Sequence, residues 1–382
     1  MLDTGSSSLA RLQGAYDPSG DETLQATPYA QEVIYGGGAW AGPVLRSALC
    51  FGHGHHERRI DDALFALIES EGRPFRGADG ILGLAYRDLN PAYDLSTLLQ
   101  QRGVEPPVNW PWPFPAGHDL DLAKFKDFLH KHPRTTLTPV FSALEEEGVL
   151  RDRFALTVGR AVVHVTEDRA SPHSLAADPL NRGALVLGGG PEHQHLYHGA
   201  FHDVQVLHDL YYNANLRAVR VGGQDPIPVP PLDAGDVASR HSNALLDTGS
   251  SFLVLESSTY AAVLAALGRH DARLPDLVAQ SQAALREDRG LPNHAVDPRH
   301  WPDLHLHLEA PDGRDTVLRI AASHYWPHNA LHAGQTICLL MAQLPHFPKQ
   351  SILGLPLFAG RYTVFDRQAG GGPGVVRLAT AA

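Results

Sequence analysis

Leu2-Asp3-Thr4-Gly5-Ser6-Ser7 stands at the start of the chain, and Leu246-Asp247-Thr248-Gly249-Ser250-Ser251 repeats it letter for letter in the second half. A second pair follows in the same order. Ile81-Leu82-Gly83-Leu84 comes after the first copy and Ile352-Leu353-Gly354-Leu355 after the second. Internal repetition decides architecture more reliably than local propensity does, and it predicts two related halves. Each half places a carboxylate in a short polar turn and a glycine behind an apolar pair further on. One isolated Asp in such a turn reads as an Asx-turn or helix cap, but duplication changes that reading. If a pseudo-twofold axis relates the halves, Asp3 and Asp247 face one another across it. Two carboxylates at close range share one proton rather than both ionising, so one acts as base while the other acts as acid. That pair can draw a proton from water and give one to a carbonyl oxygen, which is what amide hydrolysis asks for without a metal or a covalent nucleophile. Gly5 and Gly249 let the backbone bend and turn their amides toward the carboxylates, Thr4 and Thr248 can bond across to the opposite loop, and Ser6 and Ser250 are placed to bond the outer oxygens.

The remaining composition fits a folded, turn-rich protein. The chain has 382 residues, 43% of them hydrophobic and 19% charged, with 36 Gly and 29 Pro. That length suits two domains, and the apolar content excludes a disordered chain. The formal charge of −11, without a block of Lys or Arg, argues against nucleic acid or anionic lipid as partner. No apolar stretch reaches the roughly 18 residues that a membrane span needs. The N-terminus lacks the basic and apolar regions of a signal peptide. Cys50 and Cys338 form no metal-type spacing and read as two buried free thiols.

Most of the chain reads as short strands between turns. Gly183 to Gly188 is one, and Leu304 to Leu308 is another in which Leu and His alternate. Helices are expected from Ser257 or Ser258, with Tyr260, Val263, Leu264 and Leu267 on one face, and from Thr138 to Glu147, where Gly148 ends it. Residues from about 105 to 134 carry Pro106, Pro107, Pro111, Pro113 and Pro115 around Trp110 and Trp112, then a helical stretch from Asp121 to His130. This segment reads as a surface insertion. The expected fold is mainly β with a few short helices, in a first lobe over residues 1–200 and a second over 201–382.

With those residues in place, the chain resembles the pepsin-like aspartic proteases, the pepsin and cathepsin D family. Tyr16-Asp17-Pro18-Ser19 is similar to the turn that follows the family's first motif. Tyr35-Gly36-Gly37-Gly38 sits where the family has its flap. Asp79-Gly80-Ile81-Leu82-Gly83-Leu84-Ala85-Tyr86, Thr138-Pro139-Val140-Phe141, Leu185-Val186-Leu187-Gly188-Gly189 and Arg361-Tyr362-Thr363-Val364-Phe365-Asp366-Arg367 follow the family pattern in collinear order over nearly the whole chain. The resemblance implies a bilobal β fold whose lobes are related by a pseudo-twofold axis. It also implies endopeptidase action on an extended polypeptide at acidic pH, with Asp3 and Asp247 catalytic and Tyr35, Gly36 and Gly37 closing over the substrate. It further implies no cofactor, a monomeric enzyme, and residence in the secretory pathway, outside the cell, or in the lysosome or vacuole.

Some features depart from that pattern. A strand-rich segment precedes the first motif in the family, whereas only Met1 and Leu2 stand before Asp3, so the chain resembles a form truncated at its N-terminus. Ser8-Leu9-Ala10 occupies the place of a tryptophan that in the family bonds the flap tyrosine, with Trp40 as a substitute. Cys338 lies where half of a C-lobe bridge is expected. These departures leave a second reading open, a catalytically silent homologue that keeps the cleft and binds peptides. The 23 histidines, clustered at His53-Gly54-His55-His56 and at His193-Gln194-His195 with His198, leave a third, a metal-binding protein. Their loop setting and the lack of a helical H-E-x-x-H pattern favour solvated side chains and no metal. No G-x-S-x-G elbow supports a serine nucleophile.

Overall fold

A short strand, Leu2–Asp3, runs parallel to Gly80–Gly83, and Leu9–Leu12 pairs with the same Gly80–Gly83 strand from its other side, antiparallel. The computed structural model describes residues 1–34, 38–52, 54–71, 78–117, 120–167, 169–232, 234–345 and 347–382. Contacts divide the chain into two units, residues 1–150 and 151–382.

Among its described residues, the first unit is built on one nine-stranded sheet. Its order is Leu2–Asp3, Gly80–Gly83, Leu9–Leu12, Arg58–Ile68, Ala39–Phe51, Gln25–Ile34, Pro91–Asp94 and Arg134–Thr136, with Ser70–Glu71 added beside Ala39–Phe51. The long strands Gln25–Ile34 and Ala39–Phe51 form a hairpin whose last described pair is Ile34 with Ala39. The proposed flap residues Tyr35, Gly36 and Gly37 lie outside the described residues. Trp40 is buried against Ala10, Ala66 and Ile68, beside Leu12 and Val33.

The segment over 105–134 does more than decorate the surface. Its helix spans Leu122–Leu129, with the Asp121 carboxylate accepting from the Lys124 amide at 3.1 Å as N-cap. Apolar residues at helical spacing drive its inner face inward. Phe125 and Leu129 join Ala30, Ala41, Tyr93, Leu95 and Leu99 in one core, with Trp112, Phe114 and Phe128 packed at the edge. The expected helix near Thr138 spans Val140–Glu146, and Gly148 follows with φ +69°, a left-handed stop that glycine adopts without strain.

In the second unit, five strands run in the order Gly183–Leu187, Arg153–Val158, Arg361–Asp366, Val375–Ala381 and Tyr197–Gln205. Arg153–Val158 and the start of Tyr197–Gln205, placed with the first lobe on the sequence, therefore hydrogen-bond to the closing strands Arg361–Asp366 and Val375–Ala381. A second five-stranded sheet has the order Asn213–Ala214, Ala244–Leu246, Ser351–Leu353, Leu253–Leu255 and Leu340–Ala342. In a third, Leu304, Leu306 and Leu308 are buried while His305 and His307 take the opposite face, as period-two alternation requires. The helix expected from Ser257 or Ser258 spans Ser257–His270, but Glu256 caps it, accepting from the amides of Ser258 and Thr259 at 3.0 and 3.1 Å. One of the two thiols differs from expectation. Cys338 is buried, and burial pushes its pKa up to about 12, but Cys50 is exposed because it ends the long strand Ala39–Phe51 at its solvent edge. No helix among the described residues is long and apolar enough to cross a membrane.

Truncating Phe125 to Ala should cost about 3–5 kcal/mol of unfolding free energy if the insertion completes this core. Lys131→Ala on its exposed side should stay within about 0.5 kcal/mol. Urea titration of both variants checks the pair.

Candidate active site

The repeated sequence folds twice into one local arrangement. Strand Leu2–Asp3 pairs parallel with Gly80–Gly83, and strand Ala244–Leu246 pairs parallel with Ser351–Leu353. Each glycine-bearing strand then pairs antiparallel with the strand that follows its motif, Leu9–Leu12 in the first unit and Leu253–Leu255 in the second. Each of those pairs in turn, parallel, with one further strand, Arg58–Ile68 and Leu340–Ala342 respectively. The aspartate thus leaves the end of a short strand held by neighbours distant in sequence. The Leu84 amide donates to the Asp3 carbonyl at 2.7 Å and the Asp247 amide to the Leu353 carbonyl at 3.1 Å.

The glycine behind each apolar pair is required by close approach. A Cβ on Gly83 would sit 2.4 Å from the Ser7 carbonyl carbon, and one on Gly354 would sit 2.3 Å from the Phe252 oxygen and 2.4 Å from the Ser250 oxygen. Only hydrogen fits where the motif loop lies against this strand. The loops are locked by backbone bonds as well. In the first, Ala85 N–H donates to Ser6 O at 2.8 Å and Gly83 N–H to Ser8 O at 2.9 Å; in the second, Leu355 N–H donates to Ser250 O at 2.8 Å and Gly354 N–H to Phe252 O at 3.2 Å.

The carboxylates are held alike at one oxygen. Gly5 N–H donates to Asp3 Oδ1 at 2.8 Å, and Gly249 N–H donates to Asp247 Oδ1 at 2.8 Å. They differ at the other. Ser6 Oγ donates to Asp3 Oδ2 at 2.5 Å, whereas Ser250 Oγ donates to the Phe252 carbonyl at 3.2 Å, so the bond expected of Ser250 toward its aspartate goes to the backbone. Asp3 is buried, as are Thr4 and Thr248, while Asp247 is half-buried.

Support behind the first loop comes from residues that carry no motif. Ser7 Oγ donates to the Tyr86 carbonyl at 2.5 Å and Ser8 Oγ to Asn90 Oδ1 at 2.9 Å, where Gln31 Nε2 also donates at 2.8 Å. Asn90 Nδ2 donates onward to Leu137 O at 3.2 Å. All four polar side chains are buried, so each bond offsets a desolvation cost that an unpaired group would incur. Sequence gave no signal for Asn90 or Gln31, since partners some eighty and sixty residues apart are matched only by folding. Behind the second loop, Leu246 N–H donates to Tyr212 O at 3.0 Å, and the buried Tyr212 hydroxyl accepts from Arg367 Nε at 2.8 Å. Burial pushes the Tyr212 pKa up to about 12, against the opposing pull of Arg367.

The turn after the first motif has its own charge centre. Asp17 caps Pro18–Gly20 through the Ser19 amide at 2.9 Å. Asp21 collects the Tyr16 hydroxyl at 2.6 Å, the Ser47 hydroxyl at 2.5 Å, and the Thr23 amide and hydroxyl at 2.9 and 2.8 Å. Partial burial alone would raise the Asp21 pKa, but these four donors favour the ionised form and hold it well below the usual carboxylate range. His53 and the side chain of His56 lie outside what is described, and among the described residues no group of three or more His, Cys, Asp or Glu side chains is arranged to hold a metal ion.

Two folded units, each presenting an Asp-Thr-Gly turn on a strand parallel to an Ile-Leu-Gly strand, define an aspartyl protease architecture. The eukaryotic aspartyl protease family matches residues 174–371, just over half of the chain, and the chain belongs to that family. The matched stretch includes the second motif and the Gly354 strand; the first motif lies before it. Mouse renin-2 is 29% identical over 143 residues, covering 37% of this chain and 29% of that protein. The alignment thus spans under a third of the relative's length.

Two expectations follow from the geometry. Gly83→Ala and Gly354→Ala should each lose about 1–3 kcal/mol or more through forced backbone displacement, while Gly14→Ala, with nothing within 4 Å of the added carbon, should be near neutral; chemical denaturation reads all three. Asp21 has a folded pKa depressed below its unfolded value, so its contribution is complete above the ordinary carboxylate pKa of about 4 and fades as pH falls toward the folded value. The destabilisation caused by Asp21→Asn should therefore be largest near neutrality and shrink progressively below about pH 4, as denaturation midpoints across that range would record.

Proposed function

We propose that this chain is an aspartic endopeptidase in which Asp3 and Asp247 share one proton and activate a water molecule against an internal peptide bond. The ionised carboxylate takes a proton from the water as its oxygen attacks the carbonyl carbon. The protonated partner gives its proton to the carbonyl oxygen, and the resulting tetrahedral diol collapses as the C–N bond breaks and the amine nitrogen is protonated. Thr4, Gly5, Ser6, Thr248, Gly249 and Ser250 orient and support the pair, and Tyr35, Gly36 and Gly37 form the closing flap. The substrate is an extended polypeptide, cleaved best at acidic pH, where one carboxyl of the pair is protonated. Family membership supports a secretory or lysosomal setting.

The observation that carries this reading is the matched bond of 2.8 Å from the amide two residues on to Oδ1 of each aspartate. A turn that served only as a cap would not need the same strand, the same glycine clearance and the same carboxylate orientation in both halves. Equal orientation is what a dyad asks for, because each carboxylate must keep one oxygen fixed while the other handles a proton.

Cleavage of a denatured protein substrate at acidic pH tests the proposal. Asp247→Asn should lower kcat by at least about 10²–10⁴-fold with the folded state retained, and a statine-type peptide should inhibit the unaltered protein. Peptide binding without any cleavage would overturn the enzymatic reading in favour of a binding homologue, and chelator-sensitive cleavage would overturn the two-carboxylate mechanism.

A further inference from the structure

We propose that His164, far in sequence from either aspartate, is a positioning residue whose ring holds the second motif loop from behind through Asn329. The inference deepens the proposed peptidase reading and rests on it where it concerns activity. His164 sits where the segment after Arg153–Val158 meets the 329–331 turn, and it forms an antiparallel bridge with Ala330. The Val165 amide donates to Asn329 O at 2.9 Å. The Asn181 side chain fixes the same backbone from the other side, accepting from His164 N–H at 2.6 Å and donating to His164 O at 2.9 Å.

The role of each ring nitrogen follows from hydrogen-bond accounting. Asn329 Oδ1 accepts from Gly334 N–H at 3.0 Å and from Asn293 Nδ2 at 2.8 Å, so the amide has its oxygen on that side. Its Nδ2 therefore faces His164 Nε2, at 3.2 Å, and a donor there requires an unprotonated ring nitrogen. The proton sits on Nδ1, which donates to Asp178 Oδ2 at 2.7 Å. Asp178 Oδ1 is already engaged by the Leu180 amide at 2.9 Å. Neutral His164 thus satisfies every partner. A second ring proton sets N–H against N–H unless Asn329 turns over, and turning over forfeits both bonds to its oxygen. Arg160 braces the same turn, donating through Nη2 to His328 O at 2.6 Å. His328, next to Asn329, holds Val296 O through its Nε2 at 2.7 Å.

The turn that Asn329 anchors is strained and leans on the second motif. Asn329 and Leu331 have φ of 52° and 68°, left-handed values that non-glycine residues keep only when their surroundings hold them. Ala330 and Leu331 pack in one apolar cluster with Ala161, Val162, Ile337 and Leu339, and with Phe252 and Leu355. Those last two clasp the Asp247 loop: Phe252 O accepts from Ser250 Oγ, and Leu355 N–H donates to Ser250 O. Leu253 N–H donates to Leu339 O at 2.8 Å, closing the same circuit. The neutral imidazole therefore fixes Asn329, the turn fixes the apolar cluster, and the cluster seats the loop that carries Asp247.

Amide hydrogen exchange on the intact protein tests this without needing activity. His164→Ala, which removes both ring bonds, should lower protection of the Leu253 and Leu355 amides, corrected for intrinsic rates, roughly tenfold. His164→Gln, which offers an acceptor toward Asn329, should keep most of that protection, and Asn329→Ala should lower it as His164→Ala does. In cleavage assays His164→Ala should reduce kcat with little change in KM, and His164→Gln should restore it. Unchanged protection in His164→Ala, or an equal loss in His164→Gln, would overturn the proposal. Absence of cleavage with the exchange results as expected would count against the peptidase reading alone.

Discussion

Everything at the candidate site depends on a backbone crowded against a backbone. In each half, the polar turn after the aspartate lies directly on a glycine in the adjacent parallel strand, close enough that a single methyl would collide with Ser7 or with Ser250 and Phe252. That contact fixes the direction in which the chain leaves the strand, and so the direction of the carboxylate. A flexible turn would give an aspartate a range of orientations; the glycine clearance together with the short strand pairs leaves one. The amides of Gly5 and Gly249 can then hold the same carboxylate oxygen in both copies.

This explains how much could be read from the chain directly. The duplicated Leu-Asp-Thr-Gly-Ser-Ser and the later Ile-Leu-Gly-Leu mark the two contact partners, and both are legible because close approach tolerates so few residue types. The alternation in Leu304 to Leu308 and the apolar face of the helix from Ser257 were legible for the same reason, since burial imposes a period. The polar frame behind the first loop was not legible. Asn90, Gln31 and Ser8 find one another across some sixty to eighty residues, and no local pattern encodes that meeting. Ser250 misled because its hydroxyl bonds the Phe252 carbonyl two residues on rather than its aspartate. Cys50 misled because a free thiol favours burial on average, while a strand end can leave it in water. The place of residues 151–200 was hidden too, because strands pair by shape rather than by order in the chain.

Each unit braces its motif region with a different polar device. Asp21 is surrounded by donors that keep it ionised far below the ordinary range, so the turn after the first motif retains its charge centre where most carboxylates have lost theirs. In the second unit His164 instead engages Asp178 and Asn329 through its two ring nitrogens. Among the described residues no other histidine has hydrogen-bond partners on both ring nitrogens, and a count of histidines alone would never single His164 out.

The account stands or falls on whether the two aspartates behave as one titrating unit. Carbon-detected NMR titration of the Asp3 and Asp247 carboxyls reads this directly. The account predicts two well-separated steps, each sensed at both residues, with Asp3→Asn collapsing them to a single ordinary carboxylate step at Asp247. Two independent titrations, each unmoved by replacing the other residue, would contradict it.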